Sequence, residues 1–188
     1  MAPADTHGGP GPRLVPPHLR GVDDQVAGAV GGLRVPARVR VVLRPEGSVE
    51  VETASLPRGT GSTLRLCVDP QPVTSRDVTL FHKTTDRRRY DARARRHAGA
   101  DDVVLVNERG QVTETTRANL AVCLGGQWCT PPLDCGLLPG VERARSLAEG
   151  RLVERVVTVD DLRRAPQVAT LSSLRGWLPA RVAHDCRC

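Results

Sequence analysis

The stretch Phe81-His82-Lys83-Thr84-Thr85-Asp86-Arg87 carries the only lysine in the chain. Lys and Arg together number 27, so all the other basic residues of that set are arginine. Arginine can replace lysine wherever a fixed positive charge is enough. It cannot form a Schiff base, because that reaction needs a primary amine able to lose its proton. Lys83 is therefore a candidate for covalent chemistry with a carbonyl group. An isolated lysine is more often a solvated surface residue, so the decision rests on the neighbouring stretches. An apolar run ends just before Lys83, and a polar, helix-compatible segment, residues 86–97, begins just after it. The amine thus sits at an element boundary, open to a ligand.

Three further stretches carry chemistry of a kind that matches. In Val112-Thr113-Glu114-Thr115-Thr116-Arg117-Ala118-Asn119-Leu120, a glutamate lies among threonine hydroxyls between two strand-like runs. Hydrogen bonds from those hydroxyls are expected to keep it ionised, and a carboxylate facing a pyridine nitrogen keeps that nitrogen protonated. In Leu137-Leu138-Pro139-Gly140-Val141-Glu142-Arg143, a glycine precedes a helix start, where free N–H groups can receive a phosphate. In Ser172-Ser173-Leu174-Arg175-Gly176, hydroxyls and N–H groups at a strand end suit the same anion. A surface glutamate, a common Pro-Gly helix start and an ordinary turn would explain each of these separately.

Apolar periodicity gives an α+β chain rich in strands, with short helices. A helix is expected at residues 23–30. Strands are expected at 37–43 and 48–53, joined by Pro45-Glu46-Gly47 into a hairpin, and at 63–68. Further strands are expected at 102–106, 111–113, 119–124, 127–130, 152–159 and 168–171, with helices at 141–149 and 162–165. The domain reading is a disordered tail over 1–17, a small α+β domain over 18–80, a large domain over 81–183 and a tail over 184–188.

Composition excludes several classes. No apolar run approaches the roughly 20 residues of a membrane span, and the Pro- and Gly-rich start lacks a secretory pattern. No membrane partner is expected, and the cytoplasm is the expected compartment. The six cysteines form no CxxC pair and are read as free thiols. No metal site is expected. The net charge of +6 is spread along the chain and aromatics are 2%, too few for base stacking, so no nucleic-acid partner is expected.

Taken in order and spacing, residues 81–179 resemble the large, cofactor-binding domain of class IV pyridoxal-phosphate enzymes. That family includes branched-chain and D-amino-acid aminotransferases and 4-amino-4-deoxychorismate lyase. Residues 35–80 match more loosely. The resemblance implies a class IV aminotransferase-like (D-amino-acid aminotransferase-like) fold with a truncated N-terminal small domain, and pyridoxal 5'-phosphate as cofactor. It places the cofactor lysine on Lys83 and the pyridine-facing carboxylate on Glu114, in the pattern Glu-x-x-x-x-Asn-Leu. It places the phosphate contacts on Gly140, Val141 and Glu142, and on Ser173 and Leu174.

The finer resemblance is to the lyase domain of bifunctional 4-aminobenzoate synthases. It rests on Phe-His-Lys-Thr-Thr with Tyr90 following, on residues 130–140, and on Ser172 to Gly176. The chain departs from the family at Ala121, where an aromatic is usual, and at Glu142, where many members have Thr. The function implied is elimination of pyruvate from 4-amino-4-deoxychorismate, with Lys83 as the catalytic base and Arg175 holding a substrate carboxylate. The alternatives are a class IV amino-acid aminotransferase and an inactive or truncated module of the same fold. A homodimer and a separate aminodeoxychorismate synthase partner are implied by the resemblance alone.

Overall fold

The computed structural model describes residues 21–56 and 62–183. The chain divides into two compact units, Met1–Arg58 and Gly59–Cys188. The first unit holds helix α1 (Val22–Val30) and strands β1 (Ala37–Leu43) and β2 (Val49–Ser55). The two strands form an antiparallel hairpin with Val41 opposite Val51. Strand alternation puts Val39, Val41 and Leu43 on one face and Arg38, Arg40 and Val42 on the other. Arg40 pairs with Glu52 across the hairpin at 3.1 Å, and Arg44 pairs with Glu50 at 2.7 Å.

The second unit is built on one sheet. Its strands are β3 (Leu64–Val68), β4 (Asp102–Val106), β5 (Val112–Thr115), β6 (Asn119–Leu124), β7 (Gln127–Thr130), β8 (Val153–Glu154), β9 (Val168–Ser172) and β10 (Gly176–Val182). They lie in the order β5-β4-β3-β10-β9-β6-β7-β8. Helices α2 (Arg88–Arg96), α3 (Val141–Ala148) and α4 (Val159–Arg164) complete the unit, with short 3-10 turns at Val78–Phe81 and Leu133–Cys135.

Its core follows the pleat. Leu120 and Val122 point to one side with Leu66, Val104, Val112, Val157 and Leu162. Ala121, between them in sequence, points to the other side with Ala169, Leu171 and Leu152. Trp128 and Trp177 meet edge to face there, with centroids 5.2 Å apart. A third cluster, Val73, Leu80 and Leu105 with Phe81 and Tyr90, fixes the segment leading to Lys83.

Several expectations are corrected. Residues 64–80 do not belong to a small domain ending at 80: β3 pairs with both β4 and β10 inside the large sheet. The strand expected over 152–159 shrinks to Val153–Glu154. A capping box takes over at Thr158, whose hydroxyl accepts from the Asp161 N–H while the Asp161 carboxylate accepts from the Thr158 N–H. Helix α4 therefore starts at Val159, not Leu162. Strand β10 was not expected, because Pro179 interrupts its pattern. It is accommodated where β10 pairs only with β9, since pairing with β3 begins at Ala180. Cys67 is disulfide-bonded, against the free-thiol reading, whereas Cys123, Cys129 and Cys135 are free and buried. The expected tails over 1–17 and 184–188, and Cys186 and Cys188, lie outside the described residues. Among the described residues no helix is long and apolar enough to cross a membrane.

Gly136 ends the Leu133–Cys135 turn at φ 88°, and a Cβ there would lie 2.6 Å from the Ser75 Cα. Gly136→Ala therefore combines left-handed strain, worth about 1–2 kcal/mol, with a backbone collision. A lowered urea midpoint for this variant is the expected result, and an unchanged midpoint counts against the packing described.

Candidate active site

Lys83 follows a turn that is fixed at both ends. Asp77 caps it, accepting from the Thr79 N–H at 2.9 Å and the Thr79 hydroxyl at 2.7 Å. Leu80 is fully buried at its other end. His82, Lys83 and Thr84 emerge from that anchor onto the wall of a cleft of about 290 Å³, lined entirely by residues of the second unit. Helix α2 adds Arg87 and Tyr90 to the wall. The β5–β6 turn adds Glu114 to Asn119, the approach to α3 with its first two residues adds Leu138 to Glu142, and the end of β9 adds Ser172 and Ser173.

The β5–β6 turn is tied down by a carboxylate beneath it. Buried Asp102 accepts from the hydroxyls of Thr115 at 2.7 Å and Thr116 at 2.6 Å. The threonines expected to solvate Glu114 thus serve Asp102 instead. Glu114 takes other partners. Its carboxylate accepts from the Leu138 N–H at 3.2 Å, the Asn119 amide at 3.3 Å and the Tyr90 hydroxyl at 3.4 Å. These donors and the nearby Lys83 charge favour the ionised form, but burial opposes it more strongly, and the Glu114 pKa is pushed up to about 7. Burial and the Glu114 charge together push Tyr90 up to about 12, so it remains a donor. Glu114 is a buried carboxylate whose ionisation a cationic donor in the cleft would restore.

Gly140 is required by the same network. The Asn119 amide also donates to the Leu138 carbonyl at 2.9 Å. A Cβ on Gly140 would fall 2.0 Å from the Asn119 Oδ1. Helix α3 begins at the next residue and has no side-chain cap on its first N–H groups. Gly140, Val141 and Glu142 line the cleft together with Ser172 and Ser173, a combination suited to an anion cup. Glu142, a carboxylate in that cup, is held elsewhere. It bonds Arg145 at 3.0 Å, Arg151 at 3.4 Å and the Ser146 hydroxyl at 3.5 Å.

The structure therefore brings Lys83, Glu114, Gly140, Val141, Glu142 and Ser173 to one cleft. Leu174 and Arg175 are exposed and do not line it. Tyr90, Asn119 and Arg87 do, although none was singled out as a site residue. Tyr90 and Asn119 were visible inside the motifs, and Arg87 carried no signal in so arginine-rich a segment. Among the described residues no cluster of His, Cys, Asp and Glu is arranged to hold a metal ion.

The family model for class IV amino-transferases matches residues 31–183. The chain belongs to that family. A relative from Schizosaccharomyces pombe, provisionally named an aminodeoxychorismate lyase, is 34% identical over 74% of this chain and 64% of its own length. The chain thus spans somewhat under two thirds of that relative. A solved structure from Mesorhizobium loti, provisionally named an amino-acid aminotransferase, is 34% identical. It superposes with a TM-score of 0.80, covering 86% of this chain and 80% of that one. A hypothetical aminotransferase from Mycobacterium tuberculosis, solved in an alpha-ketoglutarate and PMP bound form, shares the fold at a TM-score of 0.75 and 19% identity, covering 89% and 68% of the two chains.

Class IV members use pyridoxal phosphate, and the cleft fits that group. It offers a primary amine, a buried carboxylate, and an anion cup whose floor leaves no room for a side chain at Gly140. Two outcomes follow. Gly140→Ala is expected to displace Asn119 and lower cofactor affinity by about tenfold or more, read by fluorescence titration; unaltered affinity would remove Gly140 from the site. Glu114 is held near 7, above its ordinary 4.5, so its neutral form stabilises the fold. That contribution is complete below about 4.5 and is lost as pH rises through about 7. In the cofactor-free protein, the stability difference between wild type and Glu114→Gln should change over that window. A pH-independent difference would show that the carboxyl is not perturbed.

Proposed function

We propose that this chain is a pyridoxal-phosphate-dependent lyase that converts 4-amino-4-deoxychorismate to 4-aminobenzoate and pyruvate. The observation that carries the reading is the set of Lys83, Glu114 and the α3 anion cup around one cleft. When bound, pyridoxal phosphate supplies an electron sink for the carbon beside a substrate amine. The residues divide the remaining work. Lys83 would supply the amine that holds the cofactor and, when its amine is free, would take the proton from the amine-bearing carbon. Glu114, backed by Tyr90, Asn119 and Leu138, would hold the proton on the ring nitrogen. The α3 N-terminus and Ser173 would hold the phosphate. Loss of the carbon proton to Lys83 accompanies cleavage of the ether C–O bond. The departing enolpyruvate takes up a proton to become pyruvate, and the ring becomes aromatic.

Two observations support the lyase reading over others of the class. The stretch from Thr130 to Gly140 and the Phe-His-Lys-Thr-Thr segment resemble the lyase branch, and the S. pombe relative carries the lyase name. The equal identity to the M. loti protein favours a second reading, an amino-acid aminotransferase. The intact Lys83–Glu114–Ser173 set argues against an inactive module.

The test begins with the absorbance of protein saturated with pyridoxal phosphate. A band near roughly 410–430 nm, removed by borohydride and absent from Lys83→Ala, is expected. Pyruvate release from 4-amino-4-deoxychorismate then supports the lyase, and glutamate formation from 2-oxoglutarate supports the aminotransferase. Absence of the band in wild type would overturn both.

A further inference from the structure

The cleft contains a second cationic wall, separate from the α3 cup. Arg87, at the start of α2, donates from Nη2 to the Thr116 carbonyl at 2.6 Å. Its guanidinium lies 5.1 Å from the centroid of the Tyr90 ring. These two contacts set the plane of the group. The nearest carboxylate, Asp91, is 3.8 Å from Nε, beyond hydrogen-bond range, and Nη1 has no acceptor among the described residues. The next residue after the carbonyl held by Arg87 is Arg117, which also lines the cleft and forms no salt bridge among the described residues. Against these cations the cleft sets Glu114, which is already hydrogen-bonded, and Glu142, which Arg145 and Arg151 neutralise. Arg175, the sequence's candidate for an anion clamp, is exposed outside the cleft.

We propose that Arg87, with Arg117, is the group that holds a carboxylate of the substrate. The assignment rests on the cofactor reading above, which leaves the α3 cup to the phosphate and this wall to the substrate. A guanidinium whose plane is fixed loses little freedom when it pairs with a planar carboxylate. Lysine at this position keeps the charge but not the fork.

The test titrates glutarate and its neutral counterpart glutaramide by calorimetry into cofactor-saturated and cofactor-free protein, for wild type, Arg87→Met and Arg87→Lys. The cofactor band and affinity are recorded on the same samples. Wild type is expected to prefer glutarate by about tenfold or more, the scale of a charge-assisted hydrogen bond. Arg87→Met is expected to abolish that preference, leaving glutaramide binding and cofactor affinity within about twofold. Arg87→Lys is expected to fall between. The proposal is overturned if wild type shows no preference or if the preference survives in Arg87→Met. It is also overturned if both probes weaken alike, which marks a structural role, or if cofactor affinity falls instead, which assigns Arg87 to the phosphate. A wild type that shows no cofactor band but binds glutarate through Arg87 refutes the cofactor reading and leaves the anion site standing.

Discussion

A single buried carboxylate organises the second unit. Glu114 gathers the Leu138 N–H, the Asn119 amide and the Tyr90 hydroxyl, so it joins the end of β5, the start of β6, the approach to α3 and helix α2. Those are the segments that carry the rest of the cleft. Burial makes each of these bonds matter, because a buried carboxylate left without donors is costly. It also raises the proton affinity of Glu114, so the donors hold a group that burial is driving toward neutrality. Local frustration of this kind is common where a ligand completes the charge balance.

Asp102 explains how that carboxylate can be held so close to another. Its oxygens accept from two threonine hydroxyls and from the Val103 N–H at 2.8 Å. With its acceptors filled, Asp102 fixes the turn between β5 and β6 from below, and its charge adds to the upward pressure on Glu114. The threonines of the motif are therefore structural supports rather than ligands of the glutamate. Above the turn, Arg87 takes the Thr116 carbonyl, so the same two-residue segment is gripped by a carboxylate on one side and a guanidinium on the other.

Much of this was legible in the sequence. Strands β4 and β6 fall where apolar runs end in turn residues, because local pattern decides a strand buried on both faces. Lys83, Glu114 and Gly140 stood out through residue type: a lone amine, a carboxylate in a hydroxyl-rich turn, a glycine before a helix. What was not legible depends on contacts distant in sequence. The partners of Thr115 and Thr116 were hidden because Asp102 lies on another strand. The place of β3 in the large sheet was hidden because it pairs with β10, at the far end of the unit. Arg87 and Arg175 are indistinguishable by composition, and only the fold puts one in the cleft and leaves the other outside it.

The arginine bias then has a functional side. Guanidinium groups donate paired hydrogen bonds to planar anions, and Arg87 and Arg117 bring two of them to the cleft. The other basic side chains on its wall are His82 and Lys83. Of those two, only Lys83 is a primary amine able to bond covalently to a carbonyl. On the function proposed above, charge and reactivity are separated: the guanidinium groups would hold a substrate carboxylate, and the one lysine would perform the exchange. On that reading, arginine at position 83 would keep a cation in the cleft and lose the primary amine that the chemistry needs.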